Sequence, residues 1–261
     1  MSVVPVPLFR YAVIPPPALH RFMTELAPNA RPTTPPDAPH DAPASPPCLR
    51  TALWSALGCL LIAIACIAWV DRPVVDFAHA HTQGTPWIQH VAELPAPLFV
   101  LAWPMFFLLG AALLWRRKLP TWATTLWLAA GAVGVGSLAK QALKVVFGRT
   151  WPATWIHDNP SYLRDGVFEF RFFGGGNYAF ASFPSGHLTV MLAFTTVLAL
   201  RHRALRLPCA VAIALTAFGQ LASAYHWASD ALAGAALGIV VGTMVVAAWQ
   251  RWQPRTQTFG A

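Results

Sequence analysis

Phe183-Pro184-Ser185-Gly186-His187 opens a long apolar stretch and places a titratable side chain where a membrane span would begin. Pro184 fixes one φ angle, Ser185 can cap a helix with its hydroxyl, and Gly186 allows a ligand to approach the backbone closely. The first N–H groups of the following helix lack carbonyl partners and lie at the positive end of its dipole, so they can hold an anion such as phosphate. A simple helix cap followed by an interfacial histidine is the alternative, because four-residue motifs also arise by chance.

The composition around this stretch is that of an integral membrane protein. The 261 residues are 56% hydrophobic and 11% charged, and the mean hydropathy is +0.49, which ordinary soluble domains of this length do not reach. Windows free of Lys, Arg, Asp and Glu, each about as long as a bilayer crossing, cover 51–70, 94–115, 121–139, 179–200, 207–225 and 231–249. We therefore predict an all-α polytopic membrane protein with six transmembrane helices in one bundle, over residues 51–250.

The two ends of the chain are predicted to be tails. Thirteen of the 24 prolines lie in residues 1–50, which lack sustained apolar periodicity, so a disordered Pro-rich cytoplasmic tail is expected there. Residues 251–261 are predicted to form a short cytoplasmic tail. The net charge of +8 comes largely from basic residues beside the apolar windows, which is typical of membrane topology and argues against a nucleic-acid partner.

Lys and Arg in the connections between windows predict the orientation. One side carries nine basic residues, namely Arg50, Arg116, Arg117, Lys118, Arg201, Arg203, Arg206, Arg251 and Arg255. The other side carries four, namely Arg72, Arg149, Arg164 and Arg171. The first side is expected to be cytoplasmic, in a bacterial-type inner membrane. Both termini would then lie inside, and the connections 71–93, 148–178 and 226–230 would face out.

Three polar clusters are predicted to meet at the outer side. They are Lys140 and Lys144 with the nearby Arg149, the run from Pro184 to His187, and His226 with Asp230 four residues later. Snorkelling lysines and a chance pair on one helical face are the alternatives for the separate clusters. Because charge near hydrocarbon is costly, ionisable groups gathered at one depth usually mark a site.

Such a set of groups can transfer a phosphoryl group without a metal ion. A neutral histidine attacks phosphorus, a carboxylate orients it, a second histidine protonates the leaving oxygen, and cations stabilise the transition state. A carboxylate beside a histidine also favours the imidazolium, so Asp230 is expected to raise the pKa of His226.

The residues resemble the type 2 phosphatidic acid phosphatase and haloperoxidase superfamily. Its pattern is a lysine with arginine-proline seven residues later, then P-S-G-H, then S-R-x5-H-x-x-x-D, in a six-helix arrangement. The matching residues, in order and over roughly 94–250, are Lys144, Pro184, Ser185, Gly186, His187, His226 and Asp230.

The resemblance implies a role for each matching side chain. His226 would be the nucleophile, Asp230 its orienting partner and His187 the general acid. Lys144, Ser185 and the Gly186 N–H would bind phosphate.

Two positions depart from the pattern. Trp151 stands where the family has arginine, and Arg149, two residues earlier, is expected to supply that cation. Gly219-Gln220 stands where the family has serine-arginine. Gln220 can donate hydrogen bonds to phosphate but brings no charge, so Arg171 or Arg164 from the outer connection would have to supply it.

These expectations define a lead function and its alternatives. The lead is metal-independent hydrolysis of a lipid phosphate or lipid pyrophosphate at the outer face of the membrane, through a phospho-histidine intermediate. No cofactor and no obligatory protein partner is expected beyond the lipid substrate and the bilayer. The alternatives are a lipid phosphotransferase of the same fold and a non-catalytic lipid-binding pseudo-enzyme. A transporter is disfavoured because mid-span positions are apolar apart from Gln220.

One further pattern concerns packing. Gly234, Gly238 and Gly242 form a stripe of small residues at four-residue spacing in the last window. Such a stripe allows another helix to approach closely. We predict packing within the bundle in preference to dimerisation.

Overall fold

The computed structural model describes residues 49–82, 84–116, 118–155 and 158–252. Its helices are α1 Leu49–Trp69, α2 Asp71–His81, α3 Pro86–Ala92, α4 Ala96–Arg116, α5 Thr121–Phe147, α6 Tyr162–Asp165, α7 Gly186–Arg201, α8 Arg206–Ala222 and α9 Ala228–Trp252. Short 3-10 turns cover Tyr178–Phe180 and Arg203–Leu205. The predicted tails lie mostly outside the described residues, although Leu49, Arg50 and Arg251 belong to helices.

Five segments are long and apolar enough to cross a membrane. They are Leu49–Trp69, Pro86–Arg116, Thr121–Phe147, Arg203–Ala222 and Ala228–Trp252. Five of the six predicted spans are thus confirmed by length and composition, and the protein is a multi-pass membrane protein.

The sixth predicted span, 179–200, is corrected. Its helix α7 begins only at Gly186 and has 16 residues, so it is about 24 Å long against a hydrocarbon core of about 30 Å. The helix starts there because the Ser185 hydroxyl accepts the N–H of Leu188 and caps it. Many of its side chains are buried among neighbouring helices. The described chain therefore has five long candidate spans and one shorter apolar helix.

Helix α9 lies at the centre of the bundle, against α7, α1 and α5. Its glycines face α7: a Cβ on Gly238 would lie 2.5 Å from the Leu192 Cβ, and one on Gly242 would lie 2.8 Å from the Thr196 Cβ. A Cβ on Gly234 would lie 2.5 Å from the Ser185 carbonyl oxygen. The glycine stripe therefore serves packing within the chain, as predicted.

The core between these helices is built from small and branched side chains. Leu128 and Ala132 of α5, Ala193 and Val197 of α7, and Val241 of α9 form one buried cluster. Small residues let α5, α7 and α9 approach one another closely. The polar residues at the ends of these helices are thereby brought together outside this core.

The connections at one end of the bundle contain short helices and isolated bridges. Between α1 and α4 lie the short helices α2 and α3, and α3 packs on α8. Residues 148–155 and 158–185 fold back with isolated β-bridges from Arg149 to Phe170 and to Ala181. Gly148 permits the turn out of α5, since its φ is +43° and a Cβ there would lie 2.1 Å from the Arg171 carbonyl oxygen.

Candidate active site

A cavity of about 340 Å³ opens where α5 ends, α7 begins and α8 turns into α9. Its lining residues are Glu93, Phe99, Lys140, Lys144, Trp151, Trp155, Asn159, Tyr178, Gly186, His187, Tyr225 and His226. Three segments far apart in sequence thus deliver two histidines and two lysines to one space. These four residues come from the three polar clusters that the sequence singled out.

His226 lies in the turn between α8 and α9 and is almost fully buried. Its Nδ1 is 3.3 Å from the Oδ2 of Asp230, in the first turn of α9. With Nδ1 directed at the carboxylate, Nε2 is the ring nitrogen available for reaction. The pair therefore has the geometry of a nucleophile and its orienting group.

The protonation of His226 follows from two opposed effects. Asp230 raises the pKa of His226, as expected, but burial lowers it by more, to about 4. The net pKa falls because the histidine is far more buried than a surface turn suggests. Its imidazole is accordingly neutral at physiological pH, as a nucleophile must be.

Asp230 is fixed by several donors besides His226. Ser182 Oγ donates to its Oδ2 over 2.5 Å, and the backbone N–H of Trp227 donates to the same oxygen over 3.3 Å. Arg149 Nη1 donates to its Oδ1 over 2.5 Å. The carboxylate can therefore hold only one orientation toward the imidazole.

Arg149 lies behind this carboxylate and not in the cavity. Its Nη2 donates to Asp71 Oδ2 over 2.7 Å, and its Nη1 also donates to Ser229 Oγ over 2.6 Å. All three side chains are fully buried. The guanidinium also lies close to the rings of Phe168, Phe170 and Trp227. Both terminal nitrogens are thus engaged by carboxylates, which leaves them unavailable for the phosphate contact expected of this residue.

The two lysines bring positive charge to the start of α7. Lys144 is buried and donates to the Ala181 carbonyl. Lys140 Nζ lies 2.9 Å from the point where a Cβ on Gly186 would stand. The cavity therefore combines two ammonium groups with the first backbone N–H groups of a helix, an arrangement suited to an anion.

His187 occupies the opposite wall from the buried His226. The two ring centroids are 6.3 Å apart. His187 Nε2 is 3.4 Å from Glu93 Oε2, and the Phe99 ring meets the His187 ring edge-on at 5.5 Å. Both imidazoles line the same cavity, so each can contact a ligand bound there.

The remaining expected ligands have other partners. Ser185 is fully buried and its hydroxyl accepts the Leu188 N–H. Gln220 is fully buried and donates to the Ala92 carbonyl over 2.7 Å. Arg171 pairs with Glu169 over 2.6 Å, and Arg164 pairs with Asp158 and Asp165. These four side chains do not line the cavity, whereas Lys144 and Gly186 do.

Sequence reasoning placed Lys140 in a polar cluster with Lys144, one turn away on the same face of α5, and missed three other members of the site. No local pattern marked Ser182 or Glu93, since each belongs to the site only through a contact with a residue distant in sequence. Asp71 is likewise brought to the site only by the folding of α2. Within the described residues, no group of three or more His, Cys, Asp or Glu side chains could hold a metal ion.

The comparison with known families agrees with this geometry. Residues 125–254 match the model of the PAP2 superfamily, a segment that contains every lining residue from Lys140 onward. The chain belongs to the PAP2 superfamily. Within the matched segment, the ring of Trp151, which stands where the family has arginine, lies 5.2 Å from Lys144 Nζ and 5.2 Å from the His226 ring.

Individual relatives of this PAP2 protein are more distant. The chain is 39% identical over 83 residues to proteins named lipid A 1-phosphatase from Rhizobium etli and Rhizobium johnstonii, over 30% of this chain. It spans about a third of the length of these curated relatives, 34% and 32%. The crystal structure of a transmembrane PAP2 type phosphatidylglycerolphosphate phosphatase from Bacillus subtilis aligns with 16% identity and a TM-score of 0.48, over 77% of this chain and 99% of that one.

Proposed function

We propose that this protein is a metal-independent lipid phosphate phosphatase that works through a phospho-histidine on His226. The observation that carries the proposal is the arrangement around one cavity: a neutral His226 backed by Asp230, facing His187 and two lysines. Family membership supports phosphatase chemistry in the same segment.

The first half of the reaction transfers the phosphoryl group to the protein. Nε2 of His226 attacks phosphorus, the bond between phosphorus and the lipid oxygen breaks, and His187 gives a proton to that oxygen. Lys140, Lys144 and the N–H groups at the start of α7 stabilise the charge on the equatorial oxygens. Asp230 pairs with the positive charge that His226 acquires.

The second half regenerates the enzyme. His187, now neutral, takes a proton from water, the water oxygen attacks phosphorus, and the bond between phosphorus and Nε2 breaks. Inorganic phosphate leaves and His226 is neutral again. If a lipid alcohol takes the place of water, the same intermediate gives a phosphotransferase, which is the second candidate function.

The walls of the cavity favour a ring-bearing headgroup. Trp151, Trp155, Tyr178 and Tyr225 line it, and the Trp155 and Tyr225 rings meet at 4.1 Å. Aromatic faces suit the apolar face of a sugar ring. A glycolipid carrying a phosphate on its sugar, as in the relatives named lipid A 1-phosphatase, is therefore the first substrate to test.

The test is phosphate release by purified protein from a panel of lipids. The panel holds a glycolipid 1-phosphate, phosphatidate, phosphatidylglycerol phosphate and a polyprenyl diphosphate. We expect turnover that survives EDTA and falls with vanadate, since the cavity offers lysines and a single carboxylate, a poor set for a divalent ion. His226→Ala should abolish release and phospho-enzyme formation, and His79→Ala, in an exposed position on α2, should match the wild type.

Two results would contradict the proposal. One is activity that EDTA removes and magnesium restores. The other is full turnover by the His226→Ala variant. Transfer of phosphate to an added lipid alcohol in preference to water would instead select the phosphotransferase.

A further inference from the structure

Gly219 and Gln220, the positions that depart from the family pattern, hold the end of α3 against α8. Gln220 Nε2 donates to the Ala92 carbonyl oxygen over 2.7 Å. A Cβ on Gly219 would lie 2.4 Å from the Ala92 nitrogen, so a larger residue would push the two helices apart. These two contacts fix Ala92, the last residue of α3, on the bundle.

Glu93 follows Ala92 directly and reaches the cavity. Its backbone N–H donates to the Gln89 carbonyl over 3.0 Å, so the helical hydrogen bonding of α3 extends to Glu93. Its Oε2 lies 3.4 Å from Nε2 of His187. Since the Phe99 ring also packs edge-on with the same imidazole, His187 contacts both a carboxylate and an aromatic ring.

We propose that Glu93 is a positioning residue for the general acid His187, and that Gly219 and Gln220 keep it in place. A general acid must carry a proton and present it to the leaving oxygen. A carboxylate beside an imidazolium pairs with its charge and fixes the plane of the ring. The inference rests on the proposed function, because it assigns Glu93 to the protonation step of that reaction.

This arrangement explains why glutamine stands at position 220, where the family has arginine. An arginine would bring a charge to a fully buried position beside a backbone carbonyl, whereas the neutral amide of Gln220 donates there without one. Position 220 thus carries a side chain that holds α3 instead of the cation that the family has there. Lys140, beside Gly186, supplies positive charge to the cavity in its place.

Glu93→Gln tests the role at nearly constant side-chain size. The variant is compared with the wild type on a lipid phosphate, whose alkoxide leaves poorly, and on p-nitrophenyl phosphate, whose phenolate leaves without help. In single turnovers, we expect phospho-enzyme formation from the lipid to slow roughly tenfold and formation from the aryl ester to slow less than about twofold. These rates leave out the second half of the reaction, in which His187 acts as base for both substrates. The substrate concentration that gives half the maximal rate should stay the same for both, because Glu93 is not assigned to substrate binding.

Two further variants sharpen the test. In a His187→Ala background, Glu93→Gln should cause no additional loss, because its effect passes through that histidine. Gln220→Leu removes the donor to Ala92 at similar volume. We expect it to lower the rate of phospho-enzyme formation from the lipid, relative to the rate from the aryl ester, by about threefold. Glu169→Gln, a matched change in a glutamate that pairs with Arg171 away from the cavity, should leave that ratio unchanged.

The outcomes separate this inference from the proposed function. Lack of phosphate release by the wild type on every substrate contradicts the proposed function, and the inference falls with it. A wild type that turns over both substrates, with Glu93→Gln slowing phospho-enzyme formation from both equally or adding to His187→Ala, contradicts the inference alone. A loss confined to the lipid substrate and absent in the His187→Ala background supports it.

Discussion

Asp230 is the residue at which the polar contacts of the site meet. It accepts hydrogen bonds from Ser182, Arg149 and the Trp227 backbone and faces the ring of His226. Its own backbone carbonyl accepts the Ser185 N–H over 3.0 Å. One residue thus ties the candidate nucleophile to the start of α7, where His187 and the anion-binding N–H groups lie.

The protonation of His226 can be measured directly. Burial lowers its pKa to about 4, so the neutral form persists as the pH falls and is lost only near that value. Diethyl pyrocarbonate reacts with neutral imidazole, and its rate of reaction with His226 in the His187→Ala variant should therefore fall with a midpoint near pH 4. Protection by vanadate identifies the signal from His226. A midpoint above about pH 6, the ordinary range for histidine, would show that Asp230 outweighs burial.

The buried ion pairs of Arg149 give a second prediction at this scale. Asp71→Ala leaves Arg149 with one carboxylate instead of two in a fully buried position. Removing one partner from a buried ion pair costs about 3–5 kcal/mol, so the midpoint of thermal unfolding in detergent should fall sharply. Asp76→Ala, on the same helix α2 but exposed, is the control. Equal midpoints for the two variants would mean that Asp71 contributes no net stability.

The site's residues could be predicted only in part, for physical reasons. Lys144, Gly186, His187, His226 and Asp230 belong to local patterns that survive in a single sequence. The partners of Arg149 lie 78 and 81 positions away, and no local pattern links them. Nor can the sequence show that a histidine in a turn is buried, so it predicted the effect of Asp230 on the pKa of His226 but not the larger effect of burial.

At the scale of the elements, the packing of α7 on α9 sets the spacing of the two histidines. His187 lies in the first turn of α7, and His226 lies two residues before the start of α9. Glycines at the contact let the two backbones approach, since added Cβ atoms would lie within 3 Å of atoms on α7. Apolar windows predicted five spans well because hydrocarbon thickness sets their length. They failed at α7 because the residues before Gly186 are also apolar yet fold as a connection.

Gly238→Ala tests this contact. The new Cβ would lie 2.6 Å from the Thr189 carbonyl oxygen, a backbone atom, and 2.5 Å from the Leu192 Cβ. The helices must therefore separate, at a cost of about 1–3 kcal/mol, and phosphate release should fall because the two histidines move apart. Gly58→Ala in α1, where an added Cβ meets nothing within 4 Å, should keep both the unfolding midpoint and the activity. Thermal unfolding in one detergent compares the pair, and an unchanged midpoint for Gly238→Ala would contradict the tight contact.

For the whole molecule, the orientation in the membrane follows from the distribution of charge. The site lies at one end of the bundle, and most Lys and Arg residues of the connections lie at the other end. The end of α5, the start of α7 and the turn from α8 to α9 all line the cavity. Among the described residues, the opposite ends carry seven of the Lys and Arg residues in the connections, against four on the side of the cavity. Because Lys and Arg in short connections are retained in the cytoplasm, we expect the cavity to open outside the cytoplasmic membrane.

Cysteine labelling tests this orientation in a background that lacks the four native cysteines. Phe172→Cys lies on the exposed connection before α7, Ala80→Cys lies on the exposed face of α2, and Leu119→Cys lies between α4 and α5. An impermeant maleimide added to right-side-out vesicles should label the first two and spare the third, and the pattern should reverse in inverted vesicles. Permeabilised vesicles, in which all three must react, control for accessibility. Labelling of Leu119→Cys alone in right-side-out vesicles would place the cavity in the cytoplasm, so that a lipid phosphate would have to reach His226 from the inner leaflet.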